Sequence, residues 1–315
     1  MKVKFFEYLI LIAILAFVAS CARGPERSGD GQDTTANAGR GGQLLTGEAT
    51  IIVDEAALPI VNEQIEVYKT SYEGSNINVL ALPEREAINA LIQGKGSIAI
   101  LARELSTEES AGFNKRKIKP RVFPIYHDGV VFVNNITAPD TAIDVKTLTS
   151  VLKGESDAYT LVFDNLNSST VRRVKELTKV ARISGRSVKP QKTSKEVFEQ
   201  LLSDPKSIGV VSYGQYLEYR RLFGEENKIR ILSLQSLKDG KELGYFKPSQ
   251  STFATDEYPL ETNFYVLNYQ PNMGLGIGFS AFLTGDRGQR IVLKSGLLPA
   301  TMPGREIIIR DGNVN

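Results

Sequence analysis

YTLVFDNLNSSTVRRVKELTKV, residues 159–180, decides the fold. Residues 159–163 form a short apolar strand, 164–170 a polar turn, and 171–180 carry apolar positions at helical spacing. Asn167 or Ser168 suits the N-cap, where a side-chain oxygen accepts a free N–H of the first turn. The same unit recurs on both sides. Upstream, strand 49–53 leads to helix 56–72, whose Ile60, Val61, Gln64, Ile65 and Tyr68 share one face and whose Pro59 is tolerable in the first turn. Strand 77–80, helix 84–93, strand 97–101 and helix 105–113 follow, then strands 122–126 and 129–134 and helix 144–152, stopped at Gly154. Downstream lie helix 194–202, strands 208–211 and 263–267, and helices 275–283 and 287–294. Short buried strands alternating with helices predict an α/β fold with mostly parallel sheets. No internal repeat is visible.

Composition narrows the chemistry. Lys and Arg number 38 against 36 Asp and Glu, with no dense basic tract, so nucleic acid is not an expected partner. The single cysteine, Cys21, rules out an intramolecular disulfide, a thiolate metal cluster, and a nucleophilic cysteine elsewhere in the chain. His127 is the only histidine; a His-rich zinc site is excluded, and a Ser-His-Asp triad would have to use this one residue at the start of a strand. No metal, no cofactor and no enzymatic activity are expected. About 270 residues beyond the leader suffice for two domains with their own cores.

The leader has Lys2 and Lys4 before an uninterrupted apolar run at 8–18, too short to cross a bilayer but suited to a secretory signal. Val18-Ala19-Ser20-Cys21 resembles the lipobox of bacterial lipoproteins. That resemblance implies a signal peptide at 1–21, a diacylglycerol on Cys21, and a protein held on the membrane of the cell envelope, facing periplasm or exterior. Residues 22–46 contain six glycines and only two leucines, both near the end, and are expected to form a flexible linker.

Several segments together resemble the solute-binding lipoproteins of phosphate-specific ABC transporters, within the type II periplasmic-binding-protein superfamily. These are the strand–turn–helix at 50–65, Ile100-Leu101-Ala102-Arg103-Glu104-Leu105, the strand 128–134, the helix ending in Gly154-Glu155, and Asn167-Ser168-Ser169-Thr170. Ile208-Gly209-Val210-Val211-Ser212-Tyr213 and the closing helix at 282–299, with its Gly288-Gln289 and Gly296-Leu297 pairs, complete an ordered set over about 47–305. The resemblance implies two α/β lobes, 47–133 with 263–312 and 134–262, joined by strands crossing near 133–135 and 261–267. The ligand would lie in the cleft between them. It further implies inorganic phosphate or a similar small anion as ligand, a membrane permease as partner, and a monomer.

An oxyanion in such a cleft needs N–H and hydroxyl donors, which a helix N-terminus provides. Ser168, Ser169 and Thr170, preceded by Asn167, open a helix and are the leading candidates, although simple capping explains part of the run. Arg103 follows the C-terminal end of a strand, where open α/β sheets place their ligands, and its fork suits phosphate; an ion pair with Glu104 or Glu108 is the alternative. The first turn supplies Asp54, Ala56 and Ala57, and Asp128 is a further candidate contact.

Three positions depart from the family pattern. Asp164 stands where relatives often carry arginine, Ala102 where they have serine, and Asp54-Glu55 where they have hydroxyl donors. A carboxylate can accept the proton of HPO4²⁻ and would repel sulfate, and Asp54, Asp128 or Asp164 could do this. Three such acids in one cleft would instead favour a cation or a neutral polar solute. Arg172 and Arg173 could restore positive charge. Besides a phosphate receptor, the sequence therefore leaves open a receptor or sensor for another oxyanion or polar solute and, more remotely, an extracytoplasmic hydrolase.

Overall fold

The computed structural model describes residues 44–304. The leader with Cys21, most of the expected linker and residues 305–315 lie outside the described residues. The chain runs through β1 (Gly47–Asp54), a 3-10 turn (Glu55–Ala57), α1 (Leu58–Ser71), β2 (Ser75–Leu82), α2 (Glu84–Ile92), β3 (Ile98–Leu101), α3 (Thr107–Lys115), β4 (Arg121–Asn135) and β5 (Ala142–Ile143). It continues with α4 (Val145–Lys153), β6 (Thr160–Phe163), α5 (Ser169–Thr178), β7 (Val188–Pro190), α6 (Ser194–Ser203), β8 (Ser207–Ser212) and α7 (Tyr213–Phe223). Then come β9 (Ile229–Ile231), the hairpin β10 (Ser233–Lys238) and β11 (Lys241–Phe246), α8 (Gln250–Ala254), β12 (Glu261–Asn268), α9 (Leu275–Thr284), α10 (Asp286–Ser295) and β13 (Leu298–Pro299).

The main sheet has the order β2-β1-β3-β12-β4-β8-β6-β7. β1 pairs in parallel with β2 and β3, and β6 in parallel with β7 and β8. The antiparallel strands β12 and β4 lie between these two parallel halves. Each half is covered on both faces, which is why its strands read as continuous apolar runs rather than alternating ones. In β1, Ile51 and Val53 enter one core with Ile60, Val61, Ile65 and Tyr68 of α1, while Ile52 enters another with Ile88 and Leu91 of α2. In β8, Ile208 and Val210 face a core with Phe163 and Val174, while Val211 faces Val197, Phe198 and Leu201 of α6. The result is a two-lobed α/β molecule.

Residues 121–135, read from the sequence as two strands, are one. Its first part pairs with β12, through Gly129↔Glu261, and its last part with β8 from Val130↔Ser212. The change of partners thus falls at Gly129–Val130, earlier on the strand than the crossing expected near 133–135. Gly129 makes the passage possible: a Cβ there would lie 2.9 Å from the Phe253 ring. Immediately beyond it, the Tyr258 hydroxyl donates to the Val130 carbonyl at 2.8 Å.

Candidate functional site

β6 runs opposite to β1 and β3, so the three strands, from the two halves of the sheet, end towards the place where β4 changes partners. β1 delivers Asp54, whose Oδ1 accepts from the Ala56 N–H at 3.0 Å and so caps the 3-10 turn. β6 delivers Asp164, whose Oδ1 accepts from the Asn165 N–H at 2.8 Å and from the Thr170 hydroxyl at 3.0 Å. Ser168 caps α5, its Oγ bonded to the Val171 N–H and 2.7 Å from Thr170 Oγ1. On β4, Asp128 Oδ1 accepts from the N–H groups of Gly129 at 2.7 Å and Gly214 at 3.1 Å. β8 ends in Ser212, which caps α7 and donates to the Ala56 carbonyl at 3.0 Å.

These groups enclose a cavity of about 10 Å³ lined by Ala56, Asp128, Ser169, Thr170, Ser212 and Thr262. That volume suits a water-sized group. Of the residues singled out in the sequence, Ala56, Asp128, Ser169 and Thr170 meet at this cavity; Asp54 is bonded to the Ala56 N–H, and Ser168, bonded to Thr170, lines the neighbouring groove. Ala57 is buried in the core of the first lobe. Asn167 and Arg103 belong instead to an open groove of about 520 Å³ at the mouth of the cleft.

Arg103 does not turn its fork to the cavity. Both terminal nitrogens bond Glu109, at 2.7 and 2.9 Å, and Nε bonds Glu84 at 3.2 Å. Its ion pair is therefore with these two residues rather than with Glu104 or Glu108, although Nη1 also donates to the Glu104 carbonyl. Arg172 is held by Glu84 and Glu176, and Arg173 by Glu176 and the Glu261 carbonyl. Arg103, Arg172 and Arg173 are thus engaged by acceptors of the chain itself.

The carboxyl groups are unusual. Burial pushes Asp54 up to about 7, and the negative charges of Glu84 and Asp164 add to the effect. Burial likewise carries Asp128 to about 7 against the pull of the Gly129 and Gly214 N–H donors. Asp164 is raised by burial, against hydrogen bonds from the Ser168 and Thr170 hydroxyls. The outer oxygens of Asp54 and Asp164 and the Tyr126 hydroxyl are buried without a hydrogen-bond partner among the described residues. Removing an unsatisfied hydroxyl should help stability, so Tyr126→Phe is expected to gain about 1 kcal/mol in chemical denaturation. A loss of that size would mean that the hydroxyl has a partner in solution.

Ser212, Thr262, Tyr126 and Glu84 escaped sequence reasoning. Ser212 had a readable signal, the capping box it forms with Gln215. The others act through residues distant in the chain. His127 Nδ1 bonds Glu261 on the neighbouring strand, and among the described residues no serine is hydrogen-bonded to its ring. Among the described residues no cluster of His, Cys, Asp and Glu could hold a metal ion. The arrangement suits binding a small solute that both donates and accepts hydrogen bonds.

A family model described as a PBP superfamily domain matches residues 32–287. No curated protein sequence matches the chain. Among solved structures, the chain is similar to a Clostridium perfringens protein described as a phosphate ABC transporter substrate-binding protein, with bound phosphate. The TM-score is 0.67 and the identity 16%, over 81% of this chain and 100% of the other. An ABC-type phosphate transport receptor from Vibrio cholerae gives 0.61 and 17%, over 81% and 100%. The CcmR regulatory domain of Synechocystis, in complex with 2-PG, gives 0.51 and 14%, over 76% and 96%. At such identities the likeness is one of fold.

Proposed function

Because the chain belongs to the periplasmic-binding-protein (PBP) superfamily, we propose that it is a solute-binding protein that closes its two lobes on a small oxyanion, inorganic phosphate first. It would work outside the cytoplasm as a monomer, tethered through lipid on Cys21, and pass its ligand to an ABC permease without covalent chemistry. The two lobes would meet where β4 passes from β12 to β8, at Gly129–Val130. One observation carries this reading: the buried first turn of α5, Ser168 to Thr170, faces Asp128, Ser212 and Thr262 across the cavity. The turn offers N–H and hydroxyl donors to phosphate oxygens. Asp54, Asp128 and Asp164 offer acceptors to its P–OH groups, which sulfate lacks. Arg103 and Asn167 would act at the rim, where an arriving anion first meets positive charge.

The test is melting of protein unfolded, freed of ligand and refolded. At about 1,000 times its dissociation constant, phosphate should stabilise by roughly 4 kcal/mol, a rise of about 10 °C, while sulfate leaves the midpoint unchanged. No rise with phosphate removes the phosphate reading.

A second reading has its own support. With Arg103, Arg172 and Arg173 engaged elsewhere and two buried carboxyl oxygens unpartnered, the cleft also fits a neutral or cationic solute rich in donors. A rise with polyols, amines or amino acids, and none with phosphate, would select it.

A further inference from the structure

Between the end of α5 and the first turn of α6, residues 179–195 carry six cations and no acid: Lys179, Arg182, Arg186, Lys189, Lys192 and Lys195. They stand three or four residues apart, so they form no dense tract along the chain, and all six are exposed. Together they exceed the whole net charge of +2, so the rest of the chain is net negative. Among the described residues only one of the six forms an ion pair, Lys195 with Glu199 at 3.8 Å. The acids bonded to this stretch serve other donors. Asp157 accepts from the Ser187 hydroxyl at 2.7 Å, and Glu196 accepts from the Lys192 backbone N–H at 3.0 Å.

Folding does not require this charge. β7 is the outermost strand of its half of the sheet, and lysine or proline on an edge strand blocks pairing with another chain. That accounts for Lys189 and Pro190, but not for the cations before and after the strand. Lys192 and Lys195 flank Thr193, the N-cap of α6, where the helix dipole disfavours a positive charge. A row of solvated, unpaired cations is what an anionic surface attracts. Residues 179–195 hold no aromatic ring on which a nucleic-acid base could stack. Cys21 precedes the described residues by about 23 positions, a span of at most about 80 Å however it is arranged, so a lipid on Cys21 would keep this edge within reach of a bilayer. We infer that the β7 edge, from Lys179 to Lys195, docks on the anionic phospholipid headgroups of the membrane that holds the chain. Of the solute-binding reading this uses only the tether, and it is independent of which solute binds.

Lysine footprinting tests it. The full chain is placed with vesicles of phosphatidylcholine, alone or with about 30% phosphatidylglycerol, and treated with a water-soluble acylating reagent. Lys69 in α1 and Lys115 in α3, both exposed, are the controls. At low ionic strength Lys179, Lys189, Lys192 and Lys195 should react about 5-fold more slowly on the anionic vesicles, with the controls unchanged, and about 0.5 M salt should erase the difference. The double variant Lys189→Glu, Lys192→Glu should lose the protection of Lys179 and Lys195. So should Arg182→Glu, Arg186→Glu, which lies outside every helix and strand and leaves β7 untouched. Equal reactivity on both vesicles overturns the inference, as does protection that survives salt or both double variants. Protection by a DNA duplex where anionic vesicles give none overturns it in favour of nucleic acid. The tether is read separately: a chain that does not float with the phosphatidylcholine vesicles lacks it, while the reactivities on anionic vesicles still decide for or against this edge.

Discussion

The melting temperature is expected to fall by about 10 °C between pH 5 and pH 8, and Asp128→Asn to recover a large part of that loss at pH 8. The carboxyls of Asp54 and Asp128, both wholly buried, rise from the ordinary value near 3.8 to about 7 in the fold. Between those values the native state holds a proton that the unfolded chain has released. Stability therefore declines as pH climbs from about 4 to 7 and levels off above it. A shift of that size corresponds to roughly 4 kcal/mol for one independent group, and about 1 kcal/mol moves the midpoint 2–4 °C in a chain of this length. Asp54 and Asp164 interact, so their contributions do not simply add.

The opposite window belongs to Glu109, Asp144 and Glu176, whose pKa values the fold lowers. They favour the native state above their unfolded values and withdraw that support only in stronger acid, which places the optimum near pH 5. Asparagine at 128 keeps an oxygen for the Gly129 and Gly214 N–H groups and carries no charge, hence the recovery. A midpoint that is flat or rising between pH 5 and 8 would show that these carboxyls are ionised in the native protein at pH 5.

Gly288→Ala and Gln289→Leu should each cost about 3 kcal/mol, seen as a lower denaturation midpoint with an unchanged slope. A Cβ on Gly288 would sit 2.2 Å from the Phe282 carbonyl oxygen, 2.7 Å from that of Leu283 and 2.9 Å from the Leu283 Cα. All three are backbone atoms at the corner between α9 and α10, so none can swing aside. Gln289, 1% exposed, donates from Nε2 to the carbonyls of Ile125 and Leu283, and its Oε1 accepts from the Thr301 N–H at 2.9 Å. Leucine leaves all three groups without that partner. Because the residues are adjacent and serve one corner, the double variant should lose less than the sum. A cost below about 1 kcal/mol for both would mean that α10 shifts freely on β4.

Those two residues also show what the sequence could and could not tell. The Gly288-Gln289 pair was visible as a motif, but its reason lies in a helix corner and a strand far upstream. The α1 face Ile60, Val61, Gln64, Ile65 and Tyr68 was legible because helical spacing alone selects it, and the same residues are buried. α7 was missed. Its buried Tyr216 and Tyr219 alternate with charged residues in a run of weak periodicity, and only the Ser212 capping box announced it. The hairpin β10–β11 was also passed over, although Asp239-Gly240 is a favoured two-residue turn. Residues 127–128 fall between the two strands read from the sequence, 122–126 and 129–134. In fact Asp128 folds back onto its neighbour's N–H and the strand continues.

For the site, the opening turn of α5 could be read locally, since a helix N-terminus is a local feature. The arginines could not. Along the chain Arg103 offers only Glu104 or Glu108 as an ion-pair partner, whereas Glu84, carried on another helix, holds both Arg103 and Arg172. The unpartnered oxygens of Asp54 and Asp164 depend on two strands from different lobes meeting, which no spacing along the chain reveals.

The position of β12 has a consequence for how the molecule comes into being. This strand lies between β3 and β4, hydrogen-bonded to both, yet it is made after nearly every other strand of the sheet. Until residues 261–268 have been synthesised, each half of the sheet exposes a bare edge that can pair with the wrong chain. A nascent chain stopped short of β12 is thus two unjoined fragments, and the strand that joins them arrives late.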